Sequence, residues 1–296
     1  MIVCPQCSGL YSSADPGCPA CGFSPQMVNG FPAWAADLCM AGGGFKAEYF
    51  GTLVRLEKGN FWFQSRNELI KWTLKKYFSG LESFLEVGCG TGFVLSSVSG
   101  AFPEARLVGS EIFADGLAFA ASRLKRADFV QMDARRVPYV DEFDVVAAFD
   151  VIEHIEEDET VLENLHRAIK PGGGLLITVP QHSWLWSAAD TYACHVRRYS
   201  AQELHKKLGR AGFDIVRSTS FTSLLLPAML ISRRRARSGD QFNPLAEFEI
   251  SPVLNRLLKV VLDIERFLTR LGVNFAIGGS RLVVAKKKMH TTVSPV

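Results

Sequence analysis

The sequence predicts an α/β fold in which helices cover both faces of a doubly wound, mainly parallel sheet. From about residue 81, short apolar strands alternate with helical segments, and this order produces parallel strands joined by right-handed crossovers. The first of these strands runs directly into Gly88-Cys89-Gly90-Thr91-Gly92, and a helix is expected from about Phe93. Because glycines let a backbone turn tightly and approach a ligand closely, this turn is also the first candidate binding site.

Length and composition set outer bounds on the function. The chain has 296 residues, of which 48% are hydrophobic and 21% charged, which is typical of a globular protein with one large domain and a smaller unit. Its net charge of +3 is too small to indicate a nucleic-acid or anionic membrane partner by itself. The N-terminus lacks the pattern of a signal peptide, and no apolar run reaches the ~18 residues of a membrane span. We therefore expect a cytoplasmic protein.

The N-terminal segment, residues 1–38, carries two C-x-x-C pairs, formed by Cys4 with Cys7 and by Cys18 with Cys21. Four thiolates can hold Zn²⁺ tetrahedrally at about 2.3 Å, which predicts a small structural zinc ribbon. The gap between the pairs is shorter than the ~15–20 residues of many such sites. Disulfides, which a reducing cytosol disfavours, and redox activity of the pairs remain alternatives. The other cysteines (Cys39, Cys89 and Cys194) are expected to be small buried residues.

Residues 39–80 are predicted to form a linker and a cap helix. The stretch 41–44 is a glycine-rich linker, and Ser65-Arg66-Asn67-Glu68 has the S-x-x-E pattern of a capping box. We therefore expect the helix to begin near Ser65. The aromatic residues just before it, Trp62 among them, either pack against this helix or form a lid over the binding site.

Acidic residues stand at the ends of the first four predicted strands. Glu86 and Glu111 end the first and second strands, and Asp133 and Asp150 follow the third and fourth. Ligands of open α/β sheets bind at this carboxyl edge, where an acid after the second strand can accept hydrogen bonds from both ribose hydroxyls. An NAD-binding turn is the competing interpretation. It would require G-x-G-x-x-G, whereas position 93 is Phe and the third glycine comes one residue early.

Together, the glycine turn and these acids resemble motif I and the following segments of class I S-adenosylmethionine-dependent methyltransferases, over roughly residues 81–220. The segments 149–154 and 165–180 are similar to those around the fourth and fifth strands of that family. The resemblance implies a Rossmann-like sheet of seven strands with the seventh antiparallel. It also implies S-adenosylmethionine as the cofactor, with Glu111 at the ribose and Asp133 at the adenine. Trp62 could face the sulfonium and Arg66 the carboxylate of that cofactor. The predicted cofactor-binding residues are Trp62, Arg66, Glu86, Gly88, Cys89, Gly90, Thr91, Gly92, Glu111, Ile112, Asp133, Ala134, Asp150 and Val151.

The methyltransferase domain is predicted over residues 81–290, followed by a tail at 291–296 that begins to fray near Lys286. A helical insertion, residues 221–275, separates the sixth strand (213–218) from the seventh (279–285). Within it, leucines and other apolar residues from 254 to 271 form a helical stripe opposite basic residues. The insertion could cap the active site, form a homodimer, or contact a membrane surface through residues 221–271. Its apolar character favours a lipid-like substrate.

Two histidines are the candidate catalytic residues. Methyl transfer from a sulfonium requires alignment of the acceptor, and a general base when the acceptor is a hydroxyl or a protonated amine. His154 follows the fourth strand, and His195 lies in a loop after the fifth. The neighbours of His195 (Arg197, Arg198 and Tyr199) suggest recognition of an anionic group. Structural roles, in the turn for His154 and in the loop for His195, are the alternatives.

The sequence thus predicts O- or N-methylation of a small-molecule or lipid-like acceptor. An RNA methyltransferase that docks its substrate through the ribbon is less favoured, since 150–153 lacks the Asn/Asp-Pro-Pro-aromatic run of exocyclic-amine methylases. A non-catalytic cofactor-binding partner subunit is the other alternative. Asn29-Gly30-Phe31-Pro32, after the second cysteine pair, resembles small zinc ribbons of the Trm112 type, which accompany some methyltransferases.

Overall fold

A computed structural model of the chain describes residues 1–38, 50–236 and 250–288. Cys39, the predicted linker at 41–44 and the tail at 291–296 lie outside the described residues. The strands are β1 Ile2–Val3, β2 Leu10–Tyr11, β3 Gln26–Val28, β4 Phe31–Ala33, β5 Ser83–Val87, β6 Arg106–Glu111, β7 Ala127–Gln131, β8 Phe143–Phe149, β9 Ile169–Pro180, β10 Phe213–Phe221 and β11 Ser280–Lys287. The helices are α1 Phe50–Glu57, α2 Phe61–Tyr77, α3 Phe93–Ala101, α4 Ala114–Arg123, α5 Asp158–Ala168, α6 Ala188–Tyr192, α7 Ala201–Arg210, α8 Leu226–Ala236 and α9 Pro252–Arg270.

The central sheet has the strand order β10-β11-β9-β8-β5-β6-β7-β4-β3. Strands β5 to β9 are the first five predicted strands; they pair in parallel, and helices connect them. Strand β11 is the predicted antiparallel seventh strand, and it lies between β9 and β10. The predicted seven-stranded, doubly wound sheet is confirmed. Its strands are apolar on both faces because helices cover both, and Phe84, Leu85 and Val146 are fully buried.

The N-terminal segment extends this sheet. Strand β4 pairs in parallel with β7 through Ala33 and Gln131, and β3 pairs with β4. The buried Gln131 amide fixes the connection, because its Oε1 accepts from Ala35 N at 3.0 Å and its Nε2 donates to Ala35 O at 2.8 Å. Ile2 of the β1–β2 hairpin bridges to Tyr139, and both belong to the same core cluster. The cysteine segment therefore packs directly onto the sheet domain.

Several predicted boundaries were wrong. Helix α2 begins at Phe61 with Asn60 as its N-cap, whose side chain accepts from Trp62 N at 2.9 Å; Ser65 lies buried inside the helix. Asn caps a helix as well as Ser does, so the S-x-x-E pattern at 65–68 was a coincidence. The Lys-Pro-Gly-Gly stretch was expected to end a helix and lead into a strand at 175–179. Instead it lies within β9, which begins at Ile169 opposite Phe143 of β8, and Gly174 pairs with Lys286 of β11. Lys286 accordingly lies in a strand and not in a frayed tail.

The insertion contributes α8 and α9. Helix α9 packs on α2 through a narrow face, with Leu262, Glu265 and Thr269 buried. Asn255 joins the two segments, since its Oδ1 accepts from Phe61 N at 2.8 Å. Much of the predicted apolar stripe does not pack: the exposed fraction of the side chain is 59% for Leu257 and 68% for Leu271, and Phe267 beside the stripe is 60% exposed. No helix among the described residues is both long enough and apolar enough to span a bilayer.

Candidate active site

A cavity of about 1140 Å³ opens at the carboxyl ends of β5, β6, β7 and β8. It exceeds the ~300–1,000 Å³ of most small-molecule sites, so it has room for two ligands side by side. Nine of the predicted cofactor-binding residues line it: Trp62, Gly88, Gly90, Glu111, Ile112, Asp133, Ala134, Asp150 and Val151. Both predicted catalytic histidines line it as well.

The three glycines of the turn have different surroundings. All adopt left-handed backbones, with φ of +70° at Gly88, +52° at Gly90 and +72° at Gly92. A Cβ at Gly88 would lie 2.5 Å from a methyl of Val151, and one at Gly92 would lie 2.9 Å from the Cβ of Ala120. A Cβ at Gly90 would meet nothing closer than a ring carbon of Phe50 at 3.8 Å. Gly88 and Gly92 therefore allow close packing within the protein, whereas Gly90 leaves space for a ligand.

Glu111 is held against this turn. Its Oε2 accepts a hydrogen bond from Gly90 N at 3.1 Å, and its Oε1 accepts from Ile112 N at 2.8 Å. Burial raises the pKa of Glu111, although these backbone bonds oppose the rise. Asp133, at the end of β7, caps a short 3-10 turn by accepting from Arg135 N at 2.9 Å. Each carboxylate is thus fixed at the edge of the cavity by the chain that follows its strand.

Five predicted cofactor-binding residues lie behind the cavity wall: Arg66, Glu86, Cys89, Thr91 and Gly92. Thr91 donates to Glu57 at 2.5 Å, within a buried ion pair between Glu57 and Arg123. Glu86 is 2% exposed, and its Oε2 has no hydrogen-bond partner among the described residues. Burial raises the pKa of Glu86 to about 8 in spite of the nearby Arg66. The direct roles predicted for these residues stay predictions.

Arg66 and Trp62 meet each other at the cavity wall. Arg66 donates to Asp150 at 2.5 Å, and its guanidinium carbon lies 5.2 Å from the Trp62 ring centre and 5.6 Å from that of Phe149. Asp150 itself adopts a left-handed backbone, with φ of +57°, directly after β8. This backbone conformation is uncommon for aspartate, and it fixes the direction of the Asp150 side chain at the cost of local backbone strain. The ion pair between Arg66 and Asp150 therefore fixes the part of the cavity wall that lies between the glycine turn and the histidines.

The two histidines lie together, with ring centres 4.7 Å apart. His195 Nδ1 lies 2.9 Å from Asp190 Oδ1, and the same oxygen accepts from Arg198 Nε at 2.6 Å. Although burial alone would raise it, the hydrogen bond from His195 and the charge of Arg198 hold the pKa of Asp190 far below its usual range. An ionised carboxylate only accepts, so Nδ1 carries the proton and Nε2 presents a lone pair. Burial and the neighbouring His195 lower the pKa of His154 to about 4.

Glu153 stands beside this pair and is completely buried. Its Oε1 lies 4.0 Å from His195 Nε2, and among the described residues neither of its oxygens accepts a hydrogen bond. Burial and the charge of Asp150 raise the pKa of Glu153 well above its ordinary value. A backbone bond from Val196 N to Glu153 O, 2.8 Å long, holds the His195 loop in this place.

Sequence reasoning missed Glu153 and Asp190 as site residues, whereas Arg198, expected at an anionic group, lines the cavity and pairs with Asp190. A signal for Asp190 was available, because Ser187 and Asp190 form a capping box at the start of α6. The predicted anion-binding trio was wrong in part. Arg197 pairs with Asp158 at 2.9 Å outside the cavity lining, and the fully buried Tyr199 donates to the same carboxylate at 2.6 Å.

The opposite wall of the cavity is apolar and comes largely from the insertion. Leu225, Met229, Leu254 and Leu258 line it, and Phe61 adds an aromatic ring. The sequence placed Leu254 and Leu258 in the apolar stripe of the insertion, and Phe61 in the aromatic group before the cap helix that could form a lid over the binding site. The cavity therefore has a polar side at the strand ends and an apolar side formed under α8 and α9.

The four N-terminal cysteines form a separate cluster. Cys4 Sγ lies 3.5 Å from Cys21 Sγ, and Cys7 Sγ lies 3.6 Å from Cys18 Sγ, with all four sulfurs within 4.8 Å of one another. A tetrahedral Zn²⁺ with bonds of about 2.3 Å needs sulfurs roughly 3.8 Å apart, so the cluster fits this ion. The four are free thiols, which disfavours the disulfide alternative.

Comparison with known proteins agrees with the geometry of the cavity. Residues 85–177 match the family model described as a methyltransferase domain. A protein of Mycolicibacterium smegmatis, named as a probable S-adenosylmethionine-dependent methyltransferase, is 29% identical over 167 residues, or 55% of this chain and 63% of its own length. The chain thus spans less than two thirds of that relative. The ubiquinone biosynthesis O-methyltransferase of Erwinia tasmaniensis is 26% identical over 178 residues, or 57% of this chain and 69% of its own.

A solved structure shares the fold. The complex between the Haloferax volcanii Trm112 methyltransferase activator and a methyltransferase matches with a TM-score of 0.54 and 17% identity, covering 82% of this chain and 97% of that one. At this identity the likeness concerns the fold alone. The matched segment contains the glycine turn, together with Glu111 and Asp133 at the ends of β6 and β7. Residues 85–177 therefore match the methyltransferase domain family, in a chain similar to proteins named as S-adenosylmethionine-dependent methyltransferases.

Proposed function

We propose that this protein transfers the methyl group of S-adenosylmethionine to a hydroxyl or amine of a small-molecule or lipid-like acceptor. One observation carries the proposal: a single cavity joins the space over Gly90, beside Glu111, to an imidazole held by an ionised carboxylate. The first part fits a nucleoside cofactor, and the second fits an acceptor that must lose a proton.

The residues at the strand ends would hold the cofactor. Glu111 retains unused lone pairs that can accept from ribose hydroxyls, and Gly90 admits the chain of the cofactor without a steric clash. Asp133 and Ala134 line the next part of the wall, where an adenine would lie. The bound cofactor supplies an activated methyl group whose leaving group is a neutral thioether.

His195 would act on the acceptor. Asp190 holds its tautomer, so Nε2 can accept a proton from a hydroxyl or an ammonium in the cavity. His154 has its pKa lowered to about 4, which keeps it neutral near pH 7 and suits it to hydrogen bonding with the acceptor. Alignment in a closed pocket would supply most of the acceleration, roughly 7–11 kcal/mol in favourable cases.

The apolar wall supports a lipid-like acceptor. Leu225, Met229 and Leu258 can bury an acyl or prenyl body while its polar head faces the histidines. The outer face of α9 exposes further apolar side chains, and Phe267 and Leu271 are 60% and 68% exposed. We propose that this face rests on a membrane surface from which the acceptor enters, which corresponds to a cytoplasmic, membrane-peripheral location.

The N-terminal segment, 1–38, is proposed as a structural zinc ribbon, followed by a linker and cap helix (39–80) and the methyltransferase domain (81–290). Zinc would tie the loops at Cys4–Cys7 and Cys18–Cys21 together, and the ribbon in turn covers Tyr139 at the edge of the core.

The test is isothermal titration with S-adenosylhomocysteine and, separately, with NAD. We expect micromolar binding of the homocysteine nucleoside, weakened at least tenfold in Glu111→Gln and unchanged in Glu104→Gln, an exposed acid in the turn before β6. Preference for NAD, or equal binding by both variants, would contradict the proposal. For catalysis, His195→Ala should abolish methyl transfer while leaving titration with S-adenosylhomocysteine intact.

A further inference from the structure

We infer that Glu153, His154 and His195 bind a divalent metal ion at the acceptor end of the cavity. The three side chains each offer one ligand atom, and these atoms all lie within 4.8 Å of one another. One carboxylate oxygen and two imidazole nitrogens suit ions such as Mn²⁺, Fe²⁺ or Zn²⁺. The group is separate from the four-cysteine cluster, which belongs to the N-terminal segment.

The strongest support is the state of Glu153. Its side chain is 0% exposed, and among the described residues neither oxygen has a hydrogen-bond partner. A buried carboxylate without partners costs several kcal/mol, so it either binds a proton or faces a cation. The guanidinium groups at this end of the cavity are already committed, since Arg66 pairs with Asp150 and Arg198 pairs with Asp190. A metal ion between Glu153 and the histidines would bind one of these oxygens and balance the charge of the carboxylate.

The one distance known between two of the ligand atoms lies within the range for an ion of this kind. Glu153 Oε1 and His195 Nε2 are 4.0 Å apart. Two ligands that each lie about 2.1 Å from one ion are separated by roughly 3–4.2 Å. Among the described residues, Nδ1 of His154 has no hydrogen-bond partner and is buried, so one nitrogen of that ring is available.

The second layer of contacts is also that of a metal site. The other nitrogen of His195 donates to Asp190, which Arg198 Nε and Ser187 N hold at 2.6 and 2.8 Å. A carboxylate behind a histidine fixes its tautomer and orientation and makes it a better ligand. With three protein ligands, the ion keeps open positions that face the cavity. There it would bind an acceptor oxygen and lower its pKa. Because the ion takes the lone pair of His195 Nε2, it would replace His195 as the group that activates the acceptor. This role rests on the proposed function, although the binding itself does not.

The experiment uses Mn²⁺ as the probe, because thiolates favour Zn²⁺ and leave Mn²⁺ to nitrogen and oxygen ligands. Free Mn²⁺ is followed by electron paramagnetic resonance during titration of the full-length protein at pH 7.5, with zinc already bound at the cysteines. We expect one site per chain. Glu153→Gln and His195→Ala should each raise the dissociation constant at least tenfold, whereas Glu163→Gln and His205→Ala, an exposed acid and a histidine bound to Ser218, should not change it.

A second measurement guards against misfolded variants. Circular dichroism should show that Glu153→Gln folds, since the neutral amide removes a buried charge, and Mn²⁺ should raise the melting temperature of the wild type but not of this variant. Pulsed measurements of the bound Mn²⁺ should detect imidazole nitrogen, with a smaller signal in His195→Ala. Absence of a site tighter than millimolar, or equal binding in wild type and Glu153→Gln, would overturn the inference.

Titration of the same samples with S-adenosylhomocysteine separates this inference from the proposed function. Nucleoside binding without Mn²⁺ binding would overturn the metal site alone. Mn²⁺ binding without nucleoside binding would support the metal site and contradict the proposed methyl transfer.

Discussion

Alanine substitutions at Gly90 and Gly92 separate ligand binding from folding within one turn. Both glycines adopt left-handed backbones, so either alanine costs about 1–2 kcal/mol of backbone strain. The new methyl meets different surroundings: Phe50 at 3.8 Å from position 90, but the Cβ and Cα of Ala120 at 2.9 and 3.0 Å from position 92. Overpacking against a helix adds about 1–3 kcal/mol. We therefore expect the free energy of unfolding to fall by ~1–2 kcal/mol in Gly90→Ala and by ~2–5 kcal/mol in Gly92→Ala.

For cofactor binding, the larger effect should come from Gly90→Ala and the smaller one from Gly92→Ala. Gly90 lines the cavity and Gly92 does not, so the methyl at position 90 occupies space that a ligand needs. Urea unfolding and titration with S-adenosylhomocysteine, both at 15 °C, measure the two effects on the same samples. We expect the dissociation constant to rise at least tenfold in Gly90→Ala and by less in folded Gly92→Ala. Gly80→Ala, whose Cβ would meet nothing within 4 Å, is the matched control. Normal nucleoside binding by a folded Gly90→Ala protein would refute the placement of the cofactor over this turn.

Three further outcomes follow from the structure. The pKa of Glu86 is raised to about 8, so the folded protein loses stability as pH rises from about 4.5 to 8. Glu86→Gln should match the unfolding free energy of the wild type at pH 4.5 and exceed it by at most ~5 kcal/mol at pH 9. Equal stability of the two proteins at pH 9 in urea titrations would contradict this. Cys7→Ser should weaken the thiolate-to-cobalt absorption of the Co²⁺-substituted protein and lower its melting temperature, whereas an unchanged spectrum would exclude Cys7 as a ligand. Replacing Phe267 and Leu271 by Ser should change the unfolding free energy by less than about 0.5 kcal/mol each and reduce co-sedimentation with anionic vesicles; retained co-sedimentation would count against membrane contact through α9.

The sheet was predictable because its strands carry their own signals. Apolar runs, helical segments between them and the glycine turn at 88–92 indicated five parallel strands, and the structure has them in β5 to β9. The acids at 111, 133 and 150 lie at one edge because parallel strands end together. Boundaries were less predictable: Asn60 and Ser65 are equally good caps in sequence, and the structure uses the earlier one, where Phe61 N also donates to Asn255 of the distant helix α9.

The apolar stripe of α9 was predicted as a helical face, with capping of the active site, dimer formation and membrane contact left open as its role. Its spacing of apolar residues is that of a buried face, yet the helix packs on α2 through Leu262, Glu265 and Thr269 instead. The carboxylate of Glu265 accepts from Leu224 N at 2.8 Å, a backbone group that nothing in the sequence marks as needing a partner. The face of α9 that packs therefore includes a hydrogen bond between residues about forty positions apart in the chain. The spacing of apolar residues gives no sign of such a contact.

Glu153 shows most clearly where reasoning from sequence ends. In sequence it is one more acid at a helix start, beside Glu156 and Glu157, and solvated helix starts favour such residues. In the structure its two acidic neighbours are exposed, while Glu153 itself is fully buried, and among the described residues its carboxylate has no hydrogen-bond partner. The residue type tells which bonds a side chain can form. Whether partners for those bonds are present depends on the fold. The unmet requirement of this carboxylate, more than the presence of any motif, points to a cation at the acceptor end of the cavity.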